Sequence, residues 1–200
     1  MGRMRIEIVI FDGFDEIDAF GPFEVLANAG FDVELVAMQE PGLVVSQRGI
    51  RLDVPKALGA PEGVIVPGGG WLNRAPVGSW AEVQAGALPK KLAEAAATAR
   101  WMGSVCTGSL VLAASGLLDG RYATTNQNAF GELAPYVTEV IEARVVDDGD
   151  RITAAGLTAG IDLGLWIIER EWGTAAADQV AQAIEYQRQG RVWRAPKRAA

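Results

Sequence analysis

Residues 101–115 read Trp-Met-Gly-Ser-Val-Cys-Thr-Gly-Ser-Leu-Val-Leu-Ala-Ala-Ser. The first five are an apolar run short enough for a buried strand. Residues 107–115 are apolar and read as a helix, closed by Gly116 and Gly120. Cys106 therefore stands at a strand-to-helix junction. This is the layout of a nucleophile elbow, with sulfur in place of a serine oxygen. Gly103 and Gly108 flank it, so the backbone can turn sharply and the helix can pack close to a neighbouring strand. Free amides and the dipole at the helix start favour a thiolate. The Thr107 amide is placed to act as an oxyanion donor. A buried core thiol is the other reading of the same residue.

Working outward, residues 5–11 (RIEIVIF) are rich in strand formers. Residues 18–29 (DAFGPFEVLANA) read as a helix, with Phe20, Phe23 and Leu26 at helical spacing and Gly30 as the stop. Pro22 fits a first turn, which moves the expected start toward Gly21. Residues 31–38 and 63–67 are further strands, and residues 81–100 a helix broken at Gly86 and Pro89. Residues 122–125 are short and extended. Residues 143–147 and 151–154 flank Asp148-Gly149-Asp150 as a hairpin, and residues 161–172 and 175–187 are the last helices. Strands alternating with helices predict one α/β domain over residues 1–200, its sheet largely parallel with helices on both faces. Ligands bind such sheets beyond the C-terminal ends of the strands. Three segments fall there: residues 12–18, 68–70 and 106–108.

Two of these carry further candidates. Pro67-Gly68-Gly69-Gly70 follows a strand, so its amides can face a ligand. It lacks the Gly-Lys-Ser/Thr ending of a phosphate-binding loop. Asp15, Glu16 and Asp18 form a carboxylate cluster, a solvated loop or helix cap by one reading. Asp18 is either that cap or an acid at the site. Trp71 and Trp101 are aromatic neighbours of these segments.

Composition narrows the chemistry. The chain has 200 residues, half of them hydrophobic, and a net charge of -7. That acidity argues against nucleic acid and anionic membranes as partners. The locally basic stretch Arg188, Arg191, Arg194, Lys197 and Arg198 reads as a solvated face. No apolar stretch is long enough to span a bilayer, and the N-terminal run breaks at Asp12, too early for a signal peptide. A single cysteine precludes an internal disulfide and fits the cytoplasm. There is no histidine, which excludes a Ser-His-Asp triad or Cys-His dyad and removes the commonest zinc ligand. Neither a metal nor another cofactor is expected.

Together, Ser104 to Gly108, the continuation LVLAASGLLDG over residues 110–120 and Ala123-Thr124-Thr125 resemble the nucleophile region of the ThiJ/PfpI superfamily. Asp18 before Gly21-Pro22, Pro67 to Gly70, and TAAGLTAGIDL over residues 153–163 resemble other parts of that family. The resemblance implies a flavodoxin-like sandwich, a homodimer, and a Cys106 thiolate hydrogen-bonded by a protonated Asp18. It gives Thr107, Gly69 and Gly70 oxyanion or substrate-binding roles. Within the family the combination is most similar to the isocyanide hydratases, which act on a small-molecule substrate. A glyoxalase or deglycase acting on reactive aldehydes, or a cysteine redox sensor, are the alternatives. Asn126 stands where many relatives carry histidine, which argues against a protease-like Cys-His mechanism.

Overall fold

The computed structural model describes residues 4–196. Lys197 and Arg198 of the basic stretch, and the N-terminal Met1 to Arg3, lie outside the described residues. The strands in chain order are β1 (Arg5–Ile10), β2 (Asp32–Ala37), β3 (Gly42–Val45), β4 (Arg51–Val54), β5 (Gly63–Val66), β6 (Trp101–Val105), β7 (Tyr122–Ala123), β8 (Glu139–Val140), β9 (Val145–Asp148), β10 (Arg151–Ala154) and β11 (Val192–Arg194). The helices are α1 (Glu16–Ala29), α2 (Ser79–Ala85), α3 (Ala87–Ala95), α4 (Gly108–Ala114), α5 (Phe130–Leu133), α6 (Ala159–Trp172) and α7 (Thr174–Ala183). Seven strands form the main sheet in the order β11-β9-β10-β6-β5-β1-β2. All its pairings are parallel except the β9–β10 hairpin. Helices α1, α6 and α7 pack on one face, and α2, α3, α4 and α5 on the other. The largely parallel α/β sheet expected from the alternation, and the flavodoxin-like sandwich implied by the resemblance, are therefore present.

The central strands β5 and β6 are buried along their whole length. They read as continuous apolar runs because helices cover both of their faces. Parallel register brings the C-terminal ends of β1, β5, β6 and β10 to one edge, with Ile8 opposite Ile65, Val66 opposite Ser104, and Val105 opposite Ala154. The loops leaving these four strands converge there.

Several boundaries differ from the sequence reading. α1 starts at Glu16, with Asp15 as its cap accepting from the Ile17 amide at 3.1 Å. Asp18 is thus inside the first turn and is not the cap. Pro22 lies in the middle of α1, not in its first turn. Its ring is packed against α6, where a Cβ on Gly160 would sit 2.9 Å from Pro22 Cδ. A Cβ on Gly164 would sit 2.8 Å from Val25 Cγ1. These small residues let α1 and α6 approach closely, and that tertiary contact overrides the local preference against an interior proline. The break in residues 81–100 falls at Gly86 (φ 75°), while Pro89 sits in the first turn of α3. In the hairpin, Asp148 pairs with Arg151, leaving Gly149 (φ 77°) first of two loop residues. The β3–β4 hairpin and strand β11 had no assignment from sequence.

Candidate active site

Cys106 follows the last residue of β6 and precedes α4. Its own φ is 54°, so the cysteine itself makes the sharp turn that the sequence reading assigned to its flanking glycines. A left-handed conformation at a non-glycine residue is strained by about 1–2 kcal/mol. Surrounding bonds hold it: the Cys106 amide donates to the carbonyls of Ala154 (3.1 Å) and Ala155 (3.0 Å). The Thr125 hydroxyl donates to the Cys106 carbonyl at 2.8 Å. Gly108 serves close approach, since a Cβ there would lie 2.1 Å from the Val66 carbonyl oxygen.

Asp18 is fully buried, and its carboxyl lies close enough to the Cys106 thiol for each to perturb the ionisation of the other. Its Oδ2 accepts from the Gly68 amide at 3.0 Å, while its Oδ1 has no hydrogen-bond partner among the described residues. Burial, then the neighbouring charge of Asp15, push Asp18 well above the usual carboxylate range. The Cys106 thiol is also displaced upward, to about 12, by burial and by the Asp18 charge. That direction is opposite to the one expected from a helix N-terminus. α4 is only seven residues long, and desolvation of a nearly buried sulfur beside an acid outweighs its amides. Two acidic groups in contact inside the protein cannot both be charged, so the pair retains at least one proton at neutral pH.

When the pair holds one proton, the surrounding donors bear on where the charge sits. The sulfur accepts a hydrogen bond from Asn126 Nδ2 at 3.5 Å, and the backbone amides of Leu157 and Thr107 are near enough to draw the thiol downward. Asp18 receives one backbone hydrogen bond, from Gly68. The donors at the sulfur oppose the upward push of burial on the thiol. Leu157, the third residue beyond β10, reaches the sulfur through a left-handed backbone (φ 42°).

The candidate oxyanion residues gather at the same place. Gly69, Gly70, Cys106, Thr107 and Trp71 line a cavity of about 250 Å3. The amide of Thr107 faces the sulfur. The other two glycine-loop amides are already engaged: Gly69 donates to the Thr107 hydroxyl at 3.2 Å, and Gly70 to Gln47 Oε1 at 3.0 Å. The Thr107 hydroxyl also lies 3.1 Å from Ser79 Oγ, which donates to the Gly69 carbonyl. Gly68 must be glycine, because a Cβ would meet Thr107 Oγ1 at 2.4 Å. Trp71 is fixed by donating to Glu132 Oε2 at 2.9 Å. Trp101 is not at the site: it lies at the opposite end of β6, its ring filling the space beside Gly63. Gln47 and Ser79 carried no signal in the sequence, and Leu157 lay within the TAAGLTAGIDL stretch without a role assigned to it. Their roles depend on loops whose course local patterning does not fix. Among the described residues no group of three or more acidic or cysteine side chains is placed to hold a metal, and no helix is long and apolar enough to cross a membrane.

Known proteins resemble this chain in sequence and in fold. Isonitrile hydratase of Pseudomonas putida is 34% identical, over 92% of this chain and 78% of its own. Deglycase TK1284 of Thermococcus kodakarensis is 26% identical, over 76% of this chain and 89% of its own. A ThiJ/PfpI family protein from Pseudomonas syringae superposes with a TM-score of 0.83 at 29% identity, covering 94% of this chain and 77% of that one. Drosophila melanogaster DJ-1beta shares the fold, with a TM-score of 0.81 at 21% identity over 93% of this chain and all of its own. The DJ-1/PfpI family matches residues 4–170. From strand β1 through nearly all of α6, with the cysteine on its elbow and the buried acid beside it, this chain belongs to the DJ-1/PfpI family.

Proposed function

We propose that this protein is a cysteine-dependent, cofactor-independent hydratase that converts isocyanides to N-substituted formamides. The observation that carries the reading is Cys106 in the wall of the 250 Å3 cavity with the buried Asp18 carboxyl beside it, a nucleophile and a proton carrier with no imidazole in the chain. The identity with an isonitrile hydratase over most of both chains supports it.

An isocyanide has an electrophilic terminal carbon that needs one nucleophile and one proton. The Cys106 thiolate forms a C–S bond to that carbon, and Asp18 gives its proton to the same carbon. The product is a thioimidate, in which carbon is doubly bonded to nitrogen. Asp18, now a carboxylate, takes a proton from water as the water oxygen attacks the carbon. The C–S bond breaks, sulfur leaves as thiolate, and the second water proton ends on nitrogen. The sum is addition of one water to one isocyanide, with the pair restored. The Thr107 amide and hydroxyl stand beside the reacting carbon. The Gly69 and Gly70 amides serve substrate only by exchanging their present acceptors.

The test is formamide formation from a simple aryl or alkyl isocyanide, wild type beside Cys106→Ala. Turnover in wild type and its loss in the variant is the expected result. A protein that is rapidly alkylated at Cys106 yet forms no formamide overturns the hydration reading. Lactate released from methylglyoxal by that same protein would then point to aldehyde chemistry of the kind named for the deglycase relative.

A further inference from the structure

Asn126 is the third side chain at the sulfur. Its Nδ2 donates to Cys106 Sγ at 3.5 Å. The orientation of the carboxamide is set by its other end, because Oδ1 accepts from the Asn128 amide at 3.0 Å. Oxygen faces a donor and nitrogen faces the sulfur, so a flipped amide would lose both bonds. Gly156 makes room for it: a Cβ at that position would lie 2.8 Å from Nδ2. The approach of the chain is fixed as well. The Thr124 amide donates to Thr153 Oγ1 at 2.8 Å, and Thr125 is tied to the Cys106 carbonyl. Asn126 also lines both the 250 Å3 cavity over the sulfur and an adjoining cleft of about 530 Å3. A substrate at Cys106 therefore meets it.

We propose that Asn126 is a catalytic residue, a neutral carboxamide that holds the Cys106 sulfur in its charged form before attack and receives it again as it leaves the product. The chemistry of the residue type gives this a specific consequence. A carboxamide does not titrate, so its N–H remains available at every working pH. An imidazole in its place would lose or gain a proton near pH ~6.5. Because the chain lacks histidine, no imidazole step appears in the pH profile, which follows the Cys–Asp pair and Asp15, the carboxylate that lines the same cavity and pushes on Asp18. The donor acts on the sulfur whatever the substrate, so the inference rests only on the reactive-thiol part of the proposed function.

The experiment is alkylation of Cys106 by iodoacetamide from pH 5 to 10, followed by intact mass. The chain has one cysteine, so the mass shift reports that sulfur alone. Asn126→Leu keeps the approximate size and removes the donor. We expect alkylation to slow by about ten- to a hundredfold at pH 7 and at every pH below the thiol's titration, the size of a hydrogen bond to a charged acceptor. Asn126→His should add an inflection near ~6.5 that wild type lacks. A folded Asn126→Leu protein with the wild-type rate overturns the proposal. Should that variant fail to fold, Asn126→Asp replaces it, presenting an oxygen acceptor to the sulfur. Slowed alkylation above the carboxyl titration supports the proposal, and a wild-type rate there overturns it. Because alkylation needs no isocyanide, normal alkylation of wild type without formamide formation counts against hydration and leaves the role of Asn126 standing.

Discussion

At the scale of single residues, the site depends on placing an acid where water cannot stabilise its charge. Asp18 is fully buried with one backbone donor, so its neutral form is favoured on folding. The unfolded chain gives up this proton near pH ~4, and the folded chain only well above it. Between those two values the folded state binds more protons, so stability falls as pH rises through the window. Asp18→Asn keeps the shape and removes the titration. The variant should melt above wild type at pH 7, with the gap closing toward pH 4, and turnover should drop by about a hundredfold or more. Equal melting curves at pH 7 and pH 4 would contradict the burial argument. The thiol adds a second loss on the alkaline side, as pH rises from about 9 toward its folded value of about 12. Much of this was legible in the sequence, because an elbow cysteine, an acid before a Gly-Pro helix and a glycine loop are local patterns. The direction of the cysteine shift was not legible. It depends on how deeply the sulfur is buried and on which group touches it.

At the scale of elements, the elbow works because α4 is seated directly on the end of β5. Gly108 opens that helix, and a methyl group on it would collide with backbone carbonyl oxygens of Val66 at 2.1 Å and Pro67 at 2.9 Å. Backbone on both sides of a contact cannot rotate away as a side chain can. Gly108→Ala should therefore cost about 2–3 kcal/mol, measured by urea unfolding, and should slow Cys106 alkylation by shifting the elbow. Gly131→Ala is the matching control: it lies in α5 with open space around the added carbon, where alanine improves helix propensity by about 0.5–1 kcal/mol. Equal effects of the two substitutions would show that packing at Gly108 is slack. The same logic explains why α1 was placed only approximately by sequence. Pro22 looks like a helix start when only its own segment is considered. It becomes an interior residue because Gly160 and Gly164 of α6, some 140 positions later, let its ring pack closely. A contact of that separation leaves no periodic trace in either segment.

At the scale of the whole molecule, the sheet must end somewhere, and here β11 covers the edge of β9. After α7 the chain has to return across the molecule to reach that edge, and one carboxylate organises the return. Asp162, buried in the first turn of α6, accepts from Arg144 Nε at 2.7 Å, from the Tyr186 hydroxyl at 3.0 Å and from the Gln189 amide at 2.9 Å. It thus joins α6, the segment entering β9 and the segment leading to β11. Two members of the basic stretch are engaged nearby, Arg188 with Glu169 and Arg194 over the Trp166 ring. For these two residues the stretch is part of the closure and not a free charged face. Asp162→Ala removes three hydrogen bonds at once and leaves Arg144 without its carboxylate. We expect a loss of about 2–3 kcal/mol and faster tryptic cleavage at Arg188 or Arg191, since the returning segment can open without the rest of the sheet. Cys106 alkylation should change little in the folded fraction, because none of the sulfur's donors belongs to this network. Cleavage at the wild-type rate would mean that strand pairing and the Arg188 and Arg194 contacts hold β11 without Asp162. Faster alkylation together with faster cleavage would mean that the sheet edge and the elbow open as one unit.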